Sequence, residues 1–433
     1  MSAKKNNSTT STFHYVAGLD IGNGYTKGLI GPQGDDNPDL IEGIDMPSVS
    51  MLVTKPNLVP TADINAAAVV EEDFYNNLDV HFDTPLVNNN YRRLLGRRAL
   101  TASGDALDEF DLNDKTSKAD QELSKVLVLG ILAGKAVKDY VAANGSIPNP
   151  ANDDEPSALK VHASIALALP INEYVHYREQ YAASFTGAGD NKLVHTVTLD
   201  NFDTPVTVKV ICDHVVVIAE GASAQYAISS YGEPLADALL EEVRERGLEL
   251  PGVTGADINA VTDTVGVDVG EGTVNFPVFT GAEFNKDASR AFNKGYGSIL
   301  ESAIRAMEDT RFNTSFTSRK QLADFLQRTP PVLKRKAYDQ VMVYVQQQAQ
   351  FFVDALVEQF TRVMNDVGMF TEVVFVYGGG SGPIRELLYP ALMDKVAELN
   401  AAGETPVLYM DSSYSRKLNR EGLMIAAKTV ANS

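Results

Sequence analysis

The chain is poor in cysteine: Cys212 is its only one. A single thiol makes no intrachain disulfide and no zinc cluster. Its position inside the apolar run "VTVKVICDHVVVIAE" reads as a buried thiol, and a reducing, cytoplasmic location is the expectation. Positive charge is also scarce, since 37 Lys and Arg stand against 57 Asp and Glu and leave a net charge of −20. Such a chain does not coat nucleic acid by itself, because neutralising phosphates requires clustered Lys and Arg. The two short basic stretches, "YRRLLGRR" (91–98) and "LKRK" (333–336), read as solvated surface. Long apolar runs are missing too. The longest in the first half, "VLVLGILAGKAV" (126–137), is too short to span a bilayer. The polar opening "MSAKKNNSTTSTF" has no apolar core of a signal peptide and reads as a disordered tail over 1–12, and "AAKTVANS" carries no amphipathic membrane anchor.

What is present is a soluble globular composition, 44% hydrophobic and 22% charged, over 433 residues. That length exceeds one ordinary core, so two domains are expected. Residues 13–30 read as a hairpin and 41–54 as a third strand. Residues 55–117 are acidic and Asn-rich with few periodic runs, and read as a small variable insertion. Helical spacing follows over 118–143, then a Pro- and Asn-rich loop (144–158), a buried strand (159–170) and the helix "NEYVHYREQYAASF". Residues 193–218 alternate as a hairpin, and a helix begins within "EGASAQYAISSYG" (220–232). After an acidic helix, "TVGVDVGEGTVNFPVFTG" (264–281) gives another strand, Gly-rich turn and strand. Residues 298–366 are mostly helical, and "EVVFVYGGGSGPIRELLYPAL" (372–392) reads as a buried strand, a glycine turn and a helix opened by Pro383. The chain closes with the strand "PVLYM" and the helix "NREGLMIAAKTVA".

Two of the glycine turns repeat each other. "LDIGNGYTK" (19–27) aligns with "VDVGEGTVN" (267–275): each follows an apolar strand, begins with Asp, gives D-x-G-x-G and continues into a strand. That continuation excludes a P-loop and a Rossmann fingerprint, which both run into a helix. A repeat of this kind points to two related halves facing each other. Glycines let backbone N–H groups approach an anion, and Lys27 adds a point charge. Asp20 and Asp268 cannot hold phosphate directly but can hold a hydrated Mg²⁺ that sits on phosphates. The pair therefore reads as a clamp for a nucleoside polyphosphate with Mg²⁺; a glycine-rich hairpin without function is the competing reading. The third turn, "YGGGSGP" (377–383), ends a strand and opens a helix, as ribose and phosphate sites do, although a tight connection also uses glycine.

In this order the three turns resemble the actin, hexokinase and heat-shock chaperone ATPase superfamily. "LDIGNGYTK" looks like its first phosphate motif, "VDVGEGTVN" like the second, and "VYGGGSGPI" like the adenosine motif. "VVVIAEGASAQYA" (215–227) and "NREGLMIAA" (419–427) look like the two connecting motifs, so the resemblance covers roughly 13–430. Within the superfamily the chain is most similar to ParM-like plasmid-segregation actins, through "DIGNGYTK" with Asn23, through "ALALPINEYVHYREQYAASFTG" (166–187), and through Glu220, where eukaryotic actin carries Gln. The resemblance implies an α/β, actin-like (ribonuclease H-like) fold with two related domains flanking a nucleotide cleft, each with a smaller inserted subdomain. The expected boundaries are 13–212 for the first domain, with its insertion at about 55–117, and 213–433 for the second, with a helical insertion at about 298–366 and a final helix returning to the first.

The resemblance also assigns roles. Asp20 and Asp268 would hold Mg²⁺ through water, and Gly22, Asn23, Gly24 and Lys27 would contact the β- and γ-phosphates. Gly270, Glu271, Gly272 and Thr273 would contact phosphate and ribose, and Gly378, Gly379 and Gly380 would line the ribose and adenine side. Glu220 would orient or activate the attacking water, a task that suits a carboxylate; an acid favouring a helix N-terminus is the alternative. Glu271 departs from the small residue of many relatives, and Lys320 is a candidate to face adenine.

The function implied is a filament-forming nucleotidase that binds and hydrolyses ATP, or GTP, to drive polymerisation for plasmid segregation. Its partners would be further copies of itself and a DNA-binding adaptor of ParR type, with no direct nucleic acid and no membrane. A small-molecule kinase of the same superfamily, acting on a sugar or carboxylate, is the alternative, with Asp213 or His214 as its candidate base. A chaperone ATPase would need a substrate domain after the final helix, and is disfavoured.

Overall fold

The computed structural model describes residues 11–53, 62–101, 107–110, 116–152, 155–187, 191–310, 316, 318–400 and 404–433. The chain forms two compact units, one of Met1–Leu169, His176–Ile218 and Arg420–Ser433, the other of Pro170–Val175 and Ala219–Asn419. The boundary expected at 212/213 falls instead after Ile218, because the strand that holds Cys212 runs unbroken from Val206 to Ala219.

The first unit is built on a ten-stranded sheet in the order β3-β2-β1-β8-β10-β9-β5-β6-β4-β7. Its strands are β1 (Thr12–Ile21), β2 (Tyr25–Pro32), β3 (Glu42–Pro47), β4 (Val49–Leu52), β5 (Asp79–Asp83), β6 (Arg93–Leu95), β7 (Leu107–Glu109), β8 (Leu159–Leu169), β9 (His195–Leu199) and β10 (Val206–Ala219). β1 pairs antiparallel with β2 and parallel with β8. β8 reads as a nearly continuous apolar run because a central strand is covered on both faces. Of the tail expected over 1–12, residues 1–10 lie outside the described residues. Thr12 is already strand, since β8 reaches back to Lys160 and offers it a partner.

One expectation for this unit is corrected, and the content of another segment is supplied. The strand expected over 41–54 is two strands, β3 and β4, parted at Ser48, whose amide donates to Gly24 O (3.0 Å) and whose hydroxyl meets Thr26 Oγ1 (3.0 Å). Within the segment 55–117, the described strands β5, β6 and β7 extend the main sheet through β9. Its strands hid in the sequence because they are short, and β5 and β6 carry charge that is paired on folding. Asp79, with no side-chain exposure, takes a bidentate pair from Arg92 (2.5 and 2.7 Å) and a third contact from Arg98 (3.1 Å).

The helix Glu122–Asn144 lies against this unit's core and is buried almost all round from Leu123 to Val137, which explains its weak sidedness in sequence. Gly130 permits the close approach, since a Cβ there would stand 2.6 Å from Leu95 Cδ1. The last segment of the chain belongs here as well: a Cβ on Gly18 of β1 would stand 2.3 Å from the Met424 amide nitrogen.

The second unit holds a seven-stranded sheet. Its strands are β11 (Thr264–Val269), β12 (Val274–Phe276), β13 (Val278–Thr280), β14 (Glu283–Phe284), β15 (Arg290–Phe292), β16 (Val373–Tyr377) and β17 (Val407–Tyr409). β11 pairs parallel with β16 and antiparallel with β12 and β13, and β17 runs parallel beside β16. Alternate residues of β16 enter two different cores: Val374 and Val376 pack with the helical segment, Val373, Phe375 and Tyr377 with the helices Ala222–Tyr231 and Glu233–Glu245. The helical segment comprises Tyr296–Asp309, Arg319–Gln327 and the long helix Arg335–Val367. The last buries Val341, Val345, Ala349, Phe352, Leu356, Phe360 and Val363, a one-sided stripe at helical spacing.

Candidate functional site

The two repeated turns close in the same way. In the first unit the amide of Gly22 donates to Tyr25 O (3.1 Å), leaving Asn23 and Gly24 as a two-residue loop; in the second, Gly270 donates to Thr273 O (2.9 Å) around Glu271 and Gly272. The first glycine of each is required by space. A Cβ on Gly22 would meet Tyr25 O at 2.7 Å, and one on Gly270 would meet Thr273 O at 3.0 Å. Register carries the likeness further, because Asp20 stands opposite Lys27 and Asp268 opposite Asn275. The position that holds a lysine in one turn holds a buried asparagine in the other.

In the second unit Asp268, 4% exposed, is walled by glycine. Gly378, which ends β16 at φ +94°, would place a Cβ 2.4 Å from Asp268 Oδ1; Gly221, at φ +81°, would place one 3.2 Å from Oδ2. A side chain at either position strains the backbone; at Gly378 it also displaces the carboxylate, and at Gly221 it crowds it. Asn419 Nδ2 donates to Asp268 Oδ2 (3.0 Å), and Ser223 Oγ donates to Asn419 Oδ1 (3.1 Å). Tyr377 donates its hydroxyl to Gly221 O (2.8 Å); burial, then the nearby Asp268 charge, push that phenol well above its ordinary pKa and keep it a donor.

Glu220, 9% exposed, sits just before Gly221 and the helix Ala222–Tyr231. Its Oε2 accepts from Asn275 Nδ2 (3.2 Å) and from Thr273 Oγ1 (3.4 Å). Two residues of the second turn thus hold the carboxylate that ends the strand-to-helix connection. Asn275 Oδ1 in turn accepts from the Ile171 amide (3.4 Å).

The remaining candidates are placed as follows. The Glu271 carboxylate accepts from Arg319 Nε (2.9 Å), Arg319 also reaches Glu301 (2.9 Å), and the Glu271 carbonyl accepts from the Gly297 amide (2.8 Å). Glu271 therefore spends its charge on Arg319, next to Lys320 on the first turn of the helix Arg319–Gln327. Gly380 packs on the second turn, its amide donating to Val269 O (2.8 Å), while Gly379 is the partly exposed member of the three. The helix expected to open at Pro383 begins at Arg385; Gly382–Ile384 form a 3₁₀ turn first, so the glycine turn does not lead straight into an α-helical N-terminus. Asp213 is bound by Lys192 (2.5 Å) and His162 (3.0 Å), which hold its carboxyl below the usual carboxylate range against the cost of burial; this leaves it paired as a strand residue. Sequence reasoning missed Gly221, Asn275, Tyr377 and Asn419. Asn275 was visible as the counterpart of Lys27, and Asn419 opens the quoted motif "NREGLMIAA".

Among the described residues no group of three or more His, Cys, Asp and Glu is arranged to hold a metal. Single, well-held carboxylates such as Asp268 fit a Mg²⁺ that keeps its waters and takes its inner ligands from phosphate, rather than a cation caged by protein.

No protein-family model matches the chain, and no curated protein sequence does. Solved structures do match over nearly its whole length. Bacillus thuringiensis ParM with ATP is 16% identical, with 97% of this chain and 100% of that chain covered and a TM-score of 0.54. The pCBH ParM non-polymerisable quadruple mutant is 15% identical (96% and 99% covered, TM-score 0.55). Ta0583, an archaeal actin homologue, is 14% identical (96% and 99% covered, TM-score 0.54). The chain has the actin-like fold. Among the described residues no helix is long and apolar enough to cross a membrane.

Proposed function

We propose that the chain is an actin-like nucleotidase that binds ATP, or GTP, with Mg²⁺, hydrolyses it and assembles into filaments. One observation carries the reading. The D-x-G-x-G turn recurs with the same closure and the same register, and in its second copy it anchors both Asp268 and Glu220. A structural hairpin has no use for a carboxylate confined by glycines on two sides. On this reading Gly22, Asn23, Gly24 and Lys27 bind the β- and γ-phosphates, and Gly270, Gly272 and Thr273 bind phosphate from the second unit. Asp20 and Asp268 hold the metal through its waters, and Glu220 orients the attacking water, with Asn275 and Thr273 fixing its direction. Gly378, Gly379 and Gly380 face the nucleoside. Plasmid segregation through a DNA-binding adaptor of ParR type is the use that fits a strongly acidic filament, which needs another protein to hold DNA.

The test is to follow phosphate release and nucleotide binding in the same samples. Glu220→Ala should keep binding and assembly while phosphate release falls by about 10²–10⁴-fold, the usual worth of a positioned general base. Undiminished release from that variant would remove Glu220 from the reaction. Failure of the wild-type chain to bind either nucleotide would remove the reading as a whole.

A further inference from the structure

The nucleotide reading leaves Glu271 without a use. It sits in the two-residue loop of the second D-x-G-x-G turn, at the position that Asn23 holds in the first. A carboxylate there is unfavourable beside a polyphosphate, because like charges at short range repel. The surroundings of Glu271 answer that difficulty.

The backbone of the loop is bound to one helix. The carbonyls of Gly270 and Glu271 accept from the amides of Tyr296 (3.0 Å) and Gly297 (2.8 Å), the first two residues of the helix Tyr296–Asp309. Amides at a helix start have no partner within their own helix, and the N-cap, Gly295, has no side chain to serve them. Close approach requires glycine on both sides of Tyr296. A Cβ on Gly295 would stand 2.4 Å from Glu271 O, and one on Gly297 would stand 2.9 Å from the same atom and 3.1 Å from Glu271 Cγ. The side chain of Glu271 reaches a second helix. Arg319, which opens the helix Arg319–Gln327, donates from Nε to Glu271 Oε1 (2.9 Å) and from Nη1 to Glu301 Oε1 (2.9 Å). Glu301 belongs to the helix Tyr296–Asp309, so the contacts close a ring that runs from loop to helix, Glu301, Arg319, Glu271 and back to the loop. The arginine is the most buried of the three, 15% exposed against 27% for Glu271 and 29% for Glu301. Arg305, 3.9 Å from Glu301, shares the charge of that outer carboxylate.

We propose that Arg319 is a positioning residue of the second turn: it neutralises Glu271 and holds that carboxylate back from the polyphosphate. The inference rests on the nucleotide reading above and adds to it a residue that acts through another, without touching the ligand. Arginine suits the task, because its planar fork serves two carboxylates at once where the point charge of a lysine serves one. The loop then meets phosphate through its backbone, and its only charged side chain is spent on the helices.

The experiment titrates wild type, Arg319→Ala, Glu271→Gln and the double variant with ATP, ADP and adenosine in Mg²⁺, or with the guanine set where the wild type prefers it. Each protein is also melted without ligand. Arg319→Ala should weaken triphosphate binding at least about tenfold, the effect of one uncompensated charge at close range. The loss should be smaller for the diphosphate and absent for the nucleoside, since it scales with the charge of the ligand. Glu271→Gln keeps the shape and removes the charge, and should bind the triphosphate at least as tightly as wild type. The double variant should regain the affinity that Arg319→Ala loses. A merely structural arginine gives a different result: melting falls, affinity for the nucleoside falls with that for the triphosphate, and Glu271→Gln restores neither. That result overturns the proposal and leaves the nucleotide reading standing. Wild-type triphosphate affinity in Arg319→Ala does the same, as does a loss of binding in Glu271→Gln. A wild type that binds neither ATP nor GTP overturns both.

Discussion

Asp268 shows how much local structure one carboxylate requires. It stands at the second-last position of a buried strand, lies between two glycines in the left-handed region and accepts an amide hydrogen bond from Asn419. Hydrogen bonds to a charged group contribute about 1.5–3 kcal/mol. Asn419→Ala should therefore weaken Mg-nucleotide affinity by about tenfold or more, while Asn419→Asp, which sets a like charge against Asp268, should weaken it further. Titration of a fluorescent ATP analogue measures both, and wild-type affinity in either variant removes the positioning role. Gly378→Ala should cost more than either, since it combines backbone strain of about 1–3 kcal/mol with displacement of Asp268. A melting temperature equal to wild type in that variant would contradict the crowding around Asp268. The turns themselves were legible in sequence, because glycine at a fixed spacing leaves a mark. Asn275 and Asn419 stood within the quoted motifs, but their roles were not legible, because an asparagine signals nothing until its partner is known.

At the scale of elements, the pattern of burial decided what could be read. The strands β8 and β16 and the helix Arg335–Val367 carry apolar residues at the spacing their surroundings demand, and their positions follow from sequence alone. Phe360 closes the stripe of that helix with no exposure, and Phe360→Ala should cost about 3–5 kcal/mol, read as a fall in the denaturant midpoint. The strands β5 and β6 escaped notice because their charges are paired only in the folded sheet. His81 on β5 meets Asp200 Oδ2, just past β9, at 2.7 Å. That hydrogen bond outweighs burial and lifts the His81 pKa above the ordinary 6.5. The folded state therefore holds the proton more tightly than the unfolded one. The pair stabilises fully below about pH 6.5 and fades as pH rises through the folded value. Stability curves at pH 6 and pH 8, each about 0.5–2 units from an ordinary imidazole, should converge in His81→Gln; an unchanged difference would assign the pH dependence elsewhere.

For the whole molecule, the fold was legible because motif order survives where identity does not: three glycine turns in sequence identify an architecture that solved structures share at 14–16% identity. Surface placement was partly legible, since the basic stretch at 333–336, read as solvated surface, is exposed. On the filament reading, copies of a chain with net charge −20 repel one another, so assembly should strengthen as ionic strength rises, because exposed like charges are screened beyond about 8–10 Å in physiological salt. Sedimentation at increasing salt and constant Mg-ATP measures this, and insensitivity to salt would remove net repulsion as a factor in assembly.

The first unit is stitched from segments distant in sequence, and its last piece, Arg420–Ser433, packs on β1: Met424 lies against Gly18, and Lys428 reaches Asp36 at 2.6 Å. During synthesis, then, the unit whose strands leave the ribosome first cannot be finished until Arg420–Ser433 emerges. The second unit, Ala219–Asn419 with its short Pro170–Val175 piece, has every part to hand before that moment. A nascent chain halted short of Arg420 would carry a closed second unit and an open first one, with the bed of Leu423 and Ala427 bare on β8. Translation order thus makes the D-x-G-x-G turn at Asp20 the last of the two to gain its complete unit, and chaperone dependence should fall on that half of the protein.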